Sequence, residues 1–136
     1  MGSRFLGVLF LLFGILLLTS CSTLQKATQK RQQTLLVTAT AFNSLSKQGH
    51  GNPNVGAWGD RIAPGLNAIA VSDDLVSLGL TRGTRVRIEG MQNEYVVLDK
   101  MPARWKKRID IYMGNDVKAA RDWGKREVNI YWTVPD

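Results

Sequence analysis

The sequence predicts a mainly β domain, a closed barrel of six short strands with one short helix. Three observations carry this. Apolar runs of four to seven residues, rich in β-branched side chains, recur along residues 34–136 and are broken by Gly, Pro, Asn and Asp. Several of them alternate apolar with polar residues, the pattern of strands with one wet face. Only the stretch from Asn115 to Trp123 has helical spacing, with Val117, Ala120 and Trp123 three apart and Gly124 as a stop. Short, evenly spaced strands favour a barrel over a sandwich.

Taken in order, Leu35 to Ala41 is the opening strand, β-branched and without helical period. The stretch from Asn43 to Gly65 collects Gly, Pro, Asn and Ser around one large apolar residue, Trp58, and predicts a long loop of the kind that often carries function. Ala68 to Val71 is a short apolar strand, and Asp73 to Val76 a capped helical turn ending near Gly79. Thr84 to Glu89 alternates Val86 and Ile88 with Arg85, Arg87 and Glu89. Tyr95 to Leu98 runs apolar into Asp99, and Ile109 and Ile111 alternate with Arg108, Asp110 and Tyr112. In the last strand, Glu127 to Val134, Val128, Ile130 and Trp132 share one face. Trp123 and Trp132 are therefore expected in the core.

Ahead of this domain lies a different kind of sequence. Phe5 to Leu18 holds nothing more polar than Gly, follows Arg4, and is too short to span a hydrocarbon core of about 30 Å. It ends in Leu18-Thr19-Ser20-Cys21, which resembles the lipobox of bacterial lipoproteins. The resemblance implies a signal peptide over 1–20, acylation of Cys21, and, with Ser22 next, an outer-membrane address facing the periplasm. Cys21 is the only cysteine, so no internal disulfide is available. Residues 21–33 then read as a polar, lipidated tether, which at about 3.3 Å per residue reaches roughly 40 Å.

Setting Arg4 aside leaves 17 of the 18 basic residues against 11 acidic ones, a net charge near +6 on the exported part. A basic domain usually raises the question of nucleic acid. In the cell envelope the available polyanions are wall carboxylates and lipid phosphates, so nucleic acid is excluded as a partner and wall or membrane surface is expected. His50 lies between glycines with no partner at metal-ligand spacing, which predicts an exposed side chain and no metal or cofactor site.

Two aspartates, Asp99 and Asp110, stand eleven residues apart at the ends of apolar runs. A single carboxyl group can cleave a glycosidic bond if it first protonates the leaving oxygen and then deprotonates the attacking hydroxyl. From the residues alone, a surface network in which they pair with Arg104 or Lys107 is the leading reading. Trp58 and Trp105 could stack on sugar rings or cover the barrel.

The order Ala70-Val71, Leu78-Gly79-Leu80, Gly83-Thr84-Arg85-Val86, Val97-Leu98-Asp99, Arg108-Ile109-Asp110-Ile111-Tyr112 and Ala120 to Val128 is similar to the three-aspartate domain, over nearly all of Val37 to Trp132. That family has a double-psi β-barrel fold and includes the catalytic domain of a membrane-bound lytic transglycosylase. The resemblance implies action on peptidoglycan glycan strands, with Asp110 as acid/base, Asp99 as its helper, and Trp58, Trp105 and Arg104 as substrate contacts. It implies equally an alternative, a wall-binding or scaffold module that kept the barrel without catalysis. Two positions depart from the family pattern. Lys100 to Arg108 replaces a Gly-Gly-x-Ile-x-Gly loop, and Ser72 stands where the first aspartate usually is.

Overall fold

The computed structural model describes residues 30–45, 52 and 54–134. The predicted signal peptide, Cys21, most of the tether and His50 lie outside the described residues. Lys30–Val134 forms one compact unit.

Six strands, β1 (Arg31–Phe42), β2 (Ala68–Val71), β3 (Arg85–Ile88), β4 (Glu94–Lys100), β5 (Arg108–Tyr112) and β6 (Arg126–Val134), close into a barrel in the order β1-β5-β2-β4-β3-β6. Two of the pairings are parallel, β1 with β5 and β2 with β4, and the others antiparallel. Closure pairs each of the six strands with a neighbour on both sides over part of its length.

Alternation decides what faces inward. Val37 and Ala39, Ile69 and Val71, Val86 and Ile88, Tyr95 and Val97, Ile109 and Ile111, and Val128, Ile130 and Trp132 form one buried cluster, joined by Leu75 and Leu80. Each fully buried aliphatic side chain contributes about 1.5–3 kcal/mol, and this is what holds a chain without disulfides. Trp132 lies in the core as expected, its indole N–H donating to the Leu78 carbonyl at 3.3 Å. Trp123 packs against the core from outside.

Three features go beyond or differ from the sequence expectation. β1 begins at Arg31, four residues before Leu35, because β6 is long enough to pair Arg31, Gln32 and Gln33 with Val134, Thr133 and Trp132. Ladder hydrogen bonds form between backbones whatever the side chains, so the polar composition of this stretch hid a strand. The turn at Asp73–Val76 is itself helical (α1), which makes two short helices with Val117–Trp123 (α2). In α2 the Asp116 carboxylate caps the Ala119 N–H at 2.8 Å and Gly124, at φ 64°, stops the helix, but Val117 is exposed. The predicted amphipathic stripe therefore reaches the barrel only through its C-terminal half.

Candidate functional site

Because Ile109 and Ile111 fill the barrel, Asp110 between them points out of it. On that outer face the strand register lines up four residues. Thr40 on β1 pairs with Asp110 on β5, Asp110 pairs with Ala70 on β2, and Ala70 pairs with Asp99 on β4. Neighbouring strands lie about 4.8 Å apart, so the aspartate backbones are two spacings, roughly 9–10 Å, from each other. Only the methyl group of Ala70 stands between them.

Asp99 owes its place in this row to a β-bulge. Strict alternation after Tyr95 and Val97 would turn Asp99 into the core. The β2/β4 register shifts between Ile69 and Ala70, so that Val97 pairs with Ile69 but Asp99 with Ala70, and Leu98 is the extra residue. The shift flips Asp99 outward. Gly56 locks the bulge from above, for a Cβ there would lie 2.0 Å from the Leu98 carbonyl oxygen. The next residue, Ala57, and Lys100 both donate their N–H groups to Oδ1 of Asp99, each at 2.8 Å. The same turn carries Trp58 and is tied down by the Arg82–Asp60 ion pair at 2.6 Å.

One side of the row is apolar. Tyr112, one step along from Asp110, packs with Ile62 and Ala68, and Phe42 and Leu98 join them. A shallow cleft beyond this wall, lined by Ser44, Asn54, Arg61, Ile62, Pro64 and Asn115 among others, contains neither aspartate.

The other side is cationic. Arg108, one step back from Asp110, lays its guanidinium 3.8 Å from the centroid of the Trp105 ring, and Arg104 approaches the same ring at 5.2 Å. This arrangement depends on Lys107, which takes a left-handed φ of 45° while its N–H is held by the Asp74 carboxylate at 2.9 Å and its carbonyl by the Thr38 N–H at 2.9 Å. Ser72 extends the β2/β5 ladder by one step, its N–H donating to the Arg108 carbonyl and its Oγ accepting the Arg108 N–H, both at 3.0 Å. A serine thus makes a structural bond where the resembled family has an aspartate.

Burial pushes the Asp110 carboxyl up to about 6; the Thr40 hydroxyl, which donates to Oδ1 at 3.0 Å, and the Arg108 charge pull the other way, while the Asp99 charge adds to the rise. Burial also raises Asp99, against its two backbone N–H bonds. Arg108 is thus close to the acid without overriding its burial, because its guanidinium is spent on the Trp105 face.

Of the residues singled out in the sequence, Asp110 and Asp99 share the row, Trp105 and Arg104 flank its Asp110 end, and Trp58 sits on the turn bonded to Asp99. Sequence reasoning missed Thr40 and Ala70, which alternation within β1 and β2 would have placed on this face, and Gly56, which no local pattern distinguishes. Among the described residues no group of three His, Cys, Asp or Glu side chains is placed to hold a metal ion.

No family model and no curated protein matches the chain. Among solved structures it is similar to the Streptomyces papain inhibitor, at 22% identity and a TM-score of 0.51, over 75% of this chain and 94% of that one. It is similar also to the apo expansin of Clavibacter michiganensis, at 22% identity and a TM-score of 0.50, over 76% of this chain and 52% of that one. A point variant of the same expansin, in complex with cellohexaose, aligns at 21% identity with a TM-score of 0.49, over 76% and 52%. The chain spans about half the length of the expansin. The likeness to the papain inhibitor and to the apo expansin shows the fold, a double-psi β-barrel.

Proposed function

We propose that the protein is an envelope lipoprotein, anchored through Cys21, that cleaves peptidoglycan glycan strands as a lytic transglycosylase with Asp110 as the acid/base. The observation that carries this reading is the Asp110 carboxyl group, pushed up to about 6 by burial, on the outer face of the barrel in register with a second carboxyl group whose Oδ1 is already engaged. Protonated Asp110 would give its proton to the glycosidic oxygen as the bond to the anomeric carbon breaks. The carboxylate left behind would take the proton of a hydroxyl on the same sugar as that oxygen attacks the anomeric carbon. The product is an anhydro ring, and Asp110 ends protonated.

Hydrolysis by two carboxylates would ask Asp99 to activate water or form a covalent bond. Its Oδ1 already accepts two N–H bonds, and the one from Ala57 fixes the turn carrying Trp58, which suits a helper that shapes the site. One observation favours the second reading, a binding module. The Arg108–Trp105 stack fills space that a glycine loop leaves to the sugar in the resembled family.

The deciding measurement is mass analysis of products from purified wall incubated with the full chain in detergent. Fragments with anhydro ends, lost in Asp110→Asn while wall binding persists, support the transglycosylase. Reducing ends would mean hydrolysis, and binding without any fragment from pH 5 to 7 would leave the binding module.

A further inference from the structure

Arg87 and Arg104 also lie over aromatic rings, but of the arginines only Arg108 carries a buried side-chain nitrogen without a partner among the described residues. Arg82, Arg85, Lys100 and Lys118 each face a carboxylate. Arg126 turns its N–H groups to the carbonyls of Asp122 and Trp123. Among the described residues Arg108 has no carboxylate within ion-pair distance. The one hydrogen bond of its side chain is a long donation from Nη2 to the Thr40 hydroxyl at 3.4 Å, and its Nε is buried with no acceptor. Stacking on an indole fixes the plane of a guanidinium while leaving its N–H edge unused. The buried Nε is closed to a ligand, so it is the Nη end, with its one long bond, that offers donors to a planar anion, and carboxylate is the anion this pair of nitrogens fits.

Position gives that anion a source. Arg108 and Asp110 are two residues apart on one strand face, about 6.6 Å. A substituent on the sugar whose linkage oxygen meets Asp110 can reach Arg108. We propose that Arg108, held over the Trp105 ring, binds a carboxylate carried by the substrate, so that the site takes an acidic glycan and discriminates against a neutral one. This rests on the reading of Asp110 as the acid of a glycan site, and it makes the bulky cationic loop a specificity element.

The test uses the full chain carrying Asp110→Asn, in detergent, so that the glycan survives. Calorimetry would compare a tetrasaccharide of alternating N-acetylglucosamine and N-acetylmuramic acid with the same compound after amidation of its carboxylates, and with chitotetraose. The carboxylated glycan should bind at least tenfold more tightly than either neutral one. Adding Arg108→Gln should abolish that preference, and Arg108→Lys, which keeps the charge without the fork, should keep part of it. Equal affinity for native and amidated glycan overturns the proposal and leaves the glycan reading standing. A preference that survives in folded Arg108→Gln overturns it as well. Should that variant not fold, the comparison of native and amidated glycan decides alone. Binding of none of the three compounds would reject both this proposal and the wall-glycan reading.

Discussion

Asp110→Asn should make the barrel more stable at neutral pH, and the pH dependence of that gain is the informative part. In the folded domain burial moves the Asp110 carboxyl from its ordinary 3.8 to about 6. A carboxyl whose folded value is raised binds more protons folded than unfolded between those values, so wild-type stability falls as pH rises through that window. At about 1.4 kcal/mol per pH unit the full penalty, present above pH 6, is close to 3 kcal/mol and vanishes below about pH 4. Asparagine stays neutral throughout and can still accept the Thr40 hydroxyl. Its new amide donors cost about 1 kcal/mol if unmet, at every pH alike. The variant should therefore be about 1 kcal/mol less stable than wild type near pH 4 and about 2 kcal/mol more stable at pH 7.5. Urea unfolding of residues 30–136 at pH 4, 5, 6 and 7.5 measures the difference, and the swing of about 3 kcal/mol is independent of how well asparagine packs. A difference that does not change with pH, or one that changes in the opposite direction, would show that Asp110 is not held in the buried state described here.

Other outcomes follow from the same geometry. Thr40→Val removes the hydroxyl that favours the charged form of Asp110, so the titration of Asp110, followed by carboxyl NMR, should move above about 6; a fall would contradict the bond. Cleavage of wall glycan, where present, should decline about tenfold per pH unit above 6, because the proton-donating form is lost, and a flat rate to pH 8 would exclude Asp110 as the acid. Gly56→Ala places a methyl group 2.0 Å from the Leu98 carbonyl and should cost about 3 kcal/mol, lowering the melting temperature by roughly 10 °C or more. A fragment starting at Thr34 should melt below one starting at Lys30, since it loses the pairs from Arg31, Gln32 and Gln33 to β6. Cys21→Ala should abolish partitioning of the full chain into detergent, and unchanged partitioning would remove the lipoprotein assignment.

The barrel was legible because its strands obey the period of two. Val86 and Ile88 against Arg85 and Arg87, or Val128, Ile130 and Trp132 along β6, announce which face is buried without knowledge of partners. What sequence hides is set by partners. The entry of Arg31 to Gln33 into β1 depends on the length of β6, far away in the chain. Likewise Val117 satisfies the helical period yet stays exposed, because the end of α2 that carries it has no surface to lie on. Local pattern states what a residue prefers; only the fold decides whether a neighbour is there to reward it.

The site divides along the same line. Asp110 could be placed outside the barrel from its neighbours Ile109 and Ile111 alone. Asp99 could not, since the same rule applied to Tyr95 and Val97 sends it inward, and only the extra residue Leu98 brings it beside Ala70. The electrostatic balance was hidden for a related reason. In the sequence, Arg108 two residues before Asp110 is a cation on the same strand face and should deprive the acid of its proton. In the fold, the strained Lys107 and the bonds from Asp74 and Ser72 carry Trp105 under the guanidinium, which keeps that charge against the indole while burial acts on Asp110. The bulky loop that breaks the family pattern is thus what allows a cation and a protonatable carboxyl to sit side by side. Removing the ring tests this directly. In Trp105→Ala, Arg108 is free to turn onto Asp110, and the carboxyl should titrate below about 6, with the alkaline limb of any glycan cleavage moving down alongside it.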